Sequence, residues 1–252
     1  MTGLFDLKGK CAIITGSTRG IGRAIAEAMI AAGARVVISS EDVDDTARVA
    51  KELGQPGIAA DVADDAALAA LVASAVADLG GLDILVCNAG ITGKPGPFAG
   101  IEMDNYDRVM AINLRSQVVL TGLAVPHIAA KGGGAVVLMG SISAQRGNGA
   151  INAYALSKAG VSQLACNLAV EWGPKNVRVN AIAPGFIATE LSKPLLESEA
   201  FMARRMQMTP LRRPGKPEEV AGAAVFLASP AGAFTTGQTI TVDGGTVVTD
   251  GS

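Results

Sequence analysis

The sequence predicts a single doubly wound α/β domain, with about seven parallel strands in one sheet and helices on both faces. Three observations predict it. Short apolar runs alternate with longer helical patterns from end to end. Each run is continuously apolar, as in strands covered on both faces, rather than alternating with polar residues. Apolar residues make up 49% of the 252-residue chain and charged residues 17%, which suits one large buried core.

The expected strands are CAIIT (11–15), RVVIS (35–39), GIAAD (57–61), DILVCNA (83–89), GAVVLMGS (134–141), VRVNAIAP (177–184) and TITVD (239–243). Helical patterns lie between them at 20–32, 43–53, 64–79, 103–130, 152–172 and 217–229. Asp64 and Asp104 are expected N-caps, and Pro217 with Glu218 and Glu219 suits a first helical turn. Repeated βα units imply parallel pairing through right-handed crossovers. No linker or internal repeat divides 1–252, so one domain is expected. One segment, 185–216, breaks the rhythm: it is rich in Met and apolar residues and follows a strand, where ligands bind in open α/β sheets. It is expected to be a substrate lid.

The net charge of −2 argues against a nucleic-acid surface, which would show a clustered basic face. The first residues lack a basic segment followed by an apolar one, so no signal peptide is expected. No uninterrupted apolar run reaches the ~18 to 20 residues of a bilayer span, so no membrane partner is expected. Cys11, Cys87 and Cys166 are far apart in apolar settings. They read as reduced core thiols of a cytoplasmic protein, and with His127 as the only histidine no metal site is expected.

Two local patterns carry chemistry. TGSTRGIG follows the first strand, with Gly16, Gly20 and Gly22 at its turns. Glycines there let the backbone approach a pyrophosphate, and the next helix aims its N-terminal N–H groups at it. Tyr154 and Lys158 stand four apart near the start of 152–172, one turn from each other on one helix face. A cation there would stabilise a phenolate. A tyrosine with an ordinary pKa of about 10 needs such help to act as a base near neutrality.

T-G-x-x-x-G-x-G at 15–22, N-A-G at 88–90 and Y-x-x-x-K at 154–158, with VDGG at 242–245, resemble the short-chain dehydrogenase/reductase family over essentially the whole chain. The resemblance implies a Rossmann-type domain, a nicotinamide dinucleotide, and reversible hydride transfer between a secondary alcohol and a ketone. By position it implies Tyr154 as acid/base and Lys158 as its activator and a ribose ligand. Ser141 would bind the substrate oxygen, with Ser143 beside it, and Asn113 would serve a proton relay. Gly16, Thr18, Arg19, Gly20, Ile21 and Gly22 would hold the phosphates. Asp61 and Val62 would contact adenine, Asn88, Ala89 and Gly90 would line the cofactor, and Pro184, Gly185, Ile187 and Thr189 would hold the carboxamide. Cys87 stands where relatives often carry a second asparagine.

For cofactor choice the segment after the second strand is divided. Ser40 ends the strand and Arg19 is a basic residue of the NADP type, whereas Glu41 would repel a 2′-phosphate and reach ribose hydroxyls. NAD(H) is expected over NADP(H). The implied enzyme is an alcohol dehydrogenase or carbonyl reductase acting on a small molecule, assembled as a homotetramer. An acyl-carrier-protein ketoreductase is the alternative, and would dock on Arg204, Arg205, Arg212 and Arg213. An enoyl reductase would space its Tyr and Lys more widely. A catalytically silent nucleotide-binding regulator is the alternative from another class.

Overall fold

Six of the apolar runs form one parallel sheet: β1 (Cys11–Thr15), β2 (Arg35–Ser39), β3 (Ile84–Cys87), β4 (Gly134–Met139), β5 (Val177–Pro184) and β6 (Thr239–Val242). Their order is β2-β1-β3-β4-β5-β6. The computed structural model describes residues 3–248, so 1–2 and 249–252 of the expected domain lie outside the described residues. Side chains alternate across the sheet. Ile13, Leu85 and Val136 face one core, while Ile14, Val86 and Val137 face the other. That is why the runs are apolar without interruption.

The seventh expected strand, 57–61, is not one. It runs parallel beside β2 with bonds from Ile38 N to Pro56 O, Ile58 N to Ile38 O and Ala60 N to Ser40 O, each 2.9 Å. It joins the sheet edge through one bridge, Ile38 to Gly57. With a single bridge, it stays an extended edge segment. It still completes the side of the sheet beyond β2.

Helices α1 (Gly20–Ala31), α2 (Val43–Leu53), α3 (Asp65–Leu79), α4 (Met103–Met110), α5 (Ser116–Ala130) and α6 (Asn152–Trp172) follow the predicted stretches. α4 and α5 are joined by a π turn, Ala111–Arg115, into one helix. Helix 103–130 is long and apolar enough to cross a membrane, yet Leu120, Ala124, Val125 and Ile128 are core residues packed with α3 and the sheet. Within 185–216 lie α7 (Lys193–Leu196) and α8 (Glu199–Gln207), and α9 (Pro217–Ala228) follows. Asp64 caps α3 as expected, accepting from Ala66 N and Ala67 N. Asp104 caps nothing: Glu102 holds the N-cap position of α4, and Asp104 lies inside the first turn.

Cys11 and Cys87 are buried, but Cys166 is exposed, contrary to the expected core position. It lies on a face of α6 where Leu156 and Val170 are exposed too. Apolar residues surround this helix, so periodicity does not single out its buried side.

Candidate active site

β1 and β3 are neighbours whose connections leave in opposite directions, and the crevice at their carboxyl ends is where such sheets bind ligands. Gly16 turns there with φ +63°, a conformation that only glycine adopts without strain. A Cβ on Gly22 would overlap Gly16 O and Asn88 Nδ2, so the loop closes only over bare backbone. Asn88 braces it, donating from Nδ2 to Thr15 O and Gly16 O at 3.0 Å each. Thr15 Oγ1 accepts from Asn88 N and Ala89 N. Asn88 thus works through the loop it holds, a role its spacing alone did not reveal.

The N-terminus of α1 has no side-chain cap, whereas α2 and α3 are capped by Asp42 and Asp64. Its first-turn N–H groups, from Gly20, Ile21 and Gly22, are left for an anion. Thr189 closes the other side: a Cβ on Gly20 would stand 3.5 Å from its Cγ2. Ile187 is buried and bridged to Gly215, and Gly185 N donates to Val242 O at 2.9 Å. Pro184, Gly185, Ile187 and Thr189 are therefore set along and just past the end of β5, with Thr189 against the glycine loop.

At the far side of this crevice, Ser40 is buried with its Oγ 2.9 Å from Thr46 Oγ1. Arg19 and Glu41 meet in an exposed ion pair, Nη2 to Oε1 3.5 Å. Thr18 is buried in the loop between them and β1. Asp61 Oδ1 accepts from Ala63 N at 2.9 Å, turning the chain, and Val62 packs on the core beside it.

The chemical centre gathers at the ends of β4 and α6. Ser141 is buried just past β4, and its Oγ accepts from Ser143 N at 3.1 Å. Tyr154 is its hydrogen-bond partner. Burial pushes the Tyr154 phenol above its ordinary pKa, and a hydrogen bond with Ser141 opposes that push. Lys158 is 2% exposed and donates from Nζ to Met139 O at 2.7 Å. Its ammonium lies 5.6 Å from the Tyr154 ring centre. Burial pulls the Lys158 pKa down to about 8. The same burial pushes the Cys87 thiol up, leaving it unreactive. In this chain alone, then, Tyr154 is held protonated rather than pulled toward phenolate.

Asn113 sits in the π turn, fully buried. Such one-residue widenings recur at functional sites. Its Oδ1 accepts from Ile91 N and its Nδ2 donates to Ile91 O, each at 2.8 Å. Nδ2 also donates to Ser157 Oγ at 3.1 Å, and Ser157 Oγ donates to Tyr154 O at 2.7 Å. Ser157 is thus the link between the asparagine turn and the tyrosine helix. It was missed because a serine inside Y-x-x-x-K carries no signal of its own. A Cβ on Gly90 would stand 3.2 Å from Asn113 Oδ1 and 3.4 Å from Lys158 Nζ, so Gly90 keeps a side chain out of the space beside the ammonium.

Of the expected arginine patch, Arg213 is spent on Glu219, with bonds of 2.6 and 2.8 Å. Arg212 folds onto the carbonyls of Met206 and Gln207. His127 is exposed on α5, away from these groups.

A family model described as "Enoyl-(Acyl carrier protein) reductase" matches residues 16–247. The chain is 42% identical over 246 residues to the 7alpha-hydroxysteroid dehydrogenase of Escherichia coli (strain K12), covering 96% of this chain and 95% of that one. A 7 alpha-hydroxysteroid dehydrogenase solved with NADH and 7-oxo glycochenodeoxycholic acid superposes with TM-score 0.90 at 41% identity, over 96% and 95% of the two chains. A gluconate 5-dehydrogenase from Burkholderia cenocepacia J2315, solved with NADP and tartrate, gives TM-score 0.95 at 33% identity, over 98% and 99%. The glycine cradle, the uncapped helix and these matches agree: the chain belongs to the short-chain dehydrogenase/reductase family and is an NAD(P)-dependent oxidoreductase of alcohols and ketones.

Proposed function

We propose that the reaction runs through Tyr154, Ser141, Lys158 and Asn113 on a small-molecule secondary alcohol or ketone. The observation that carries this is the hydrogen bond between Ser141 and Tyr154, with the buried Lys158 ammonium 5.6 Å from the centre of the tyrosine ring. A bound nicotinamide dinucleotide supplies or accepts the hydride. Tyr154, held protonated by burial, gives its proton to the developing alkoxide during reduction and takes it back during oxidation. Ser141 Oγ donates to the same oxygen and stabilises its charge. Lys158 holds a positive charge under the phenol and offers N–H groups to a ribose over bare Gly90. Asn113 has its side chain committed to Ile91 and Ser157, and its main-chain carbonyl accepts from Gln117 Nε2 at 2.9 Å. Its share in a proton relay falls to the remaining lone pair of that carbonyl in the π turn.

Gly16, Gly20 and Gly22 with the start of α1 hold the pyrophosphate. NAD(H) is the favoured cofactor, because Glu41 already engages Arg19 just past β2 and would repel a 2′-phosphate there. Asp61 and Val62 flank the adenine. The segment 185–216 acts as the substrate lid. The arginines engaged at 212 and 213 count against a carrier-protein dock. Exposed Val118, Leu156 and Val170 on α5 and α6 support a homotetramer, measurable by light scattering, in a cytoplasmic enzyme.

The test is Tyr154→Phe, which removes one hydroxyl. Loss of proton transfer should lower kcat by roughly a thousandfold or more, with the Kd of NADH changed less than about twofold on the ordinary scale of such differences. Turnover like that of the unaltered enzyme would overturn the assignment.

A further inference from the structure

We propose that Gln117 is a positioning residue for the reaction: it fixes the Asn113 carbonyl for proton passage, and the core carries a buried, unanswered oxygen to keep it there. This rests on the reading above that Asn113 serves the proton relay.

In the π turn, Ser116 N–H reaches back five residues to Ala111 O, one residue further than in an α-helix. Two side chains from the start of α5 answer carbonyls inside this widened turn. Ser116 Oγ donates to Ile112 O at 2.6 Å, and Gln117 Nε2 donates to Asn113 O at 2.9 Å. That bond also fixes which way the Gln117 amide points, because a carbonyl oxygen only accepts. Asn113 is thereby held from both ends. Its side chain bonds Ile91 and Ser157, and its main chain bonds Gln117. Ser157 Oγ continues to Tyr154 O at 2.7 Å, so a run of hydrogen bonds through Asn113 joins Gln117 to the helix of Tyr154. Lys158 is close by: the place of a Cβ on Gly90 is 3.2 Å from Asn113 Oδ1 and 3.4 Å from Lys158 Nζ.

Packing does not account for this glutamine. Gln117 is 1% exposed, and among the described residues its Oε1 is buried with no hydrogen-bond partner. A buried acceptor left unanswered costs free energy. The same face of α5 continues as Leu120, Ala124 and Ile128, all of them core residues. A methionine at 117 has nearly the same length and would extend that core with no strong polar atom to satisfy. Glutamine is therefore the less stable choice at this position, and what it gains is the bond to Asn113 O. That bond matters to turnover. Each reduction consumes one proton, which Tyr154 gives up and which has to be replaced from solvent. Asn113 and Lys158 are themselves shut off from water, so the replacement depends on acceptors that the protein holds in place. With one lone pair of Asn113 O taken by Gln117, the other is left in a fixed direction.

The test uses the full-length enzyme with NADH or NADPH and cyclohexanone, 2,3-butanedione or 9,10-phenanthrenequinone, well below its melting temperature. Gln117→Met removes the donor and the unanswered oxygen together. It should melt no lower than the unaltered chain and keep the Kd of NADH and the KM of the ketone within roughly twofold, while kcat falls roughly tenfold. The solvent deuterium isotope effect on kcat should grow, because proton passage then limits turnover. Thr121→Val is the control one turn further on: it removes a buried hydroxyl bonded to Gln117 O at 2.7 Å and should leave kcat and the isotope effect unchanged. A Gln117→Met enzyme with unaltered kcat and isotope effect would overturn the proposal, as would an equal loss of kcat in Thr121→Val. So would a Gln117→Met protein that melts lower and keeps its kcat, since Gln117 would then serve packing alone. Asn113→Ala separates this from the reading beneath it. If that variant is slow and Gln117→Met is not, only the role of Gln117 is lost; if both turn over at full rate, the relay reading falls too. Reduction of none of these ketones, with either cofactor, would count against the reductase reading and take the proposal with it.

Discussion

Gly22→Ala tests the cofactor cradle. The added Cβ would fall well inside 3.0 Å of both Gly16 O and Asn88 Nδ2. Gly16 O is backbone in a turn with φ +63°, so it has little room to withdraw. Asn88 is the softer side, and moving it breaks the two 3.0 Å bonds to Thr15 O and Gly16 O. Two such bonds are worth about 2 kcal/mol net, and the overpacking about 1–3 kcal/mol more. Against this, alanine gains about 1 kcal/mol of helix propensity. The balance is a loss of about 2–4 kcal/mol. For a chain of this size that lowers Tm by roughly 5–10 °C. The larger effect falls on the ligand, because the displaced atoms are those that set the first turn of α1. Affinity for NADH, read by its fluorescence on titration, should fall roughly a hundredfold.

Gly222→Ala is the matched control. Gly222 lies inside α9, is exposed, and has no atom within 4 Å of an added Cβ. It should raise stability by about 0.5–1 kcal/mol and leave NADH affinity unchanged. A Gly22→Ala protein that melts and binds NADH like the unaltered chain would refute the reasoning, since the loop would then have room the structure denies.

Two further outcomes follow from charges. Asp83 is buried between β1, β3 and α5, accepting from Lys131 Nζ at 2.6 Å, Cys11 N at 2.9 Å and Lys10 Nζ at 3.1 Å. Burial pushes its carboxyl pKa up, but these three donors outweigh burial and hold it below the ordinary value. A depressed pKa stabilises the fold above the unfolded value of about 3.9, and the gain is lost as pH falls through the folded value. Asp83→Asn should therefore cost about 2–3 kcal/mol at pH 7, discounted for the part-exposed lysines. Its Tm deficit should shrink below about pH 4, and a deficit independent of pH would contradict this account. Glu41→Gln removes the acid proposed to meet the ribose and frees Arg19, so the ratio of kcat/KM for NADP over NAD should rise by roughly tenfold. An unchanged ratio would take Glu41 out of cofactor choice.

What the sequence reveals of this molecule depends on how local the signal is. The strands and helices are legible because each must bury its own apolar residues, and a run such as Ile13–Ile14 or Val136–Val137 announces two covered faces. The 57–61 run fails as a strand because pairing needs a partner in register, and this run makes only one bridge to β2. Tyr154 with Lys158 is legible because one helical turn fixes both. Ser141 and Asn113 reach the site from other elements and were placed by resemblance. The roles that escaped are those in which a side chain answers a distant backbone. Asn88 turns back to Thr15 and Gly16, Ser157 joins Asn113 to the tyrosine helix, and Lys158 is anchored on Met139 O. Lys158 carries both kinds of signal: one helical turn sets it beside Tyr154, and only folding brings Met139 O to its ammonium.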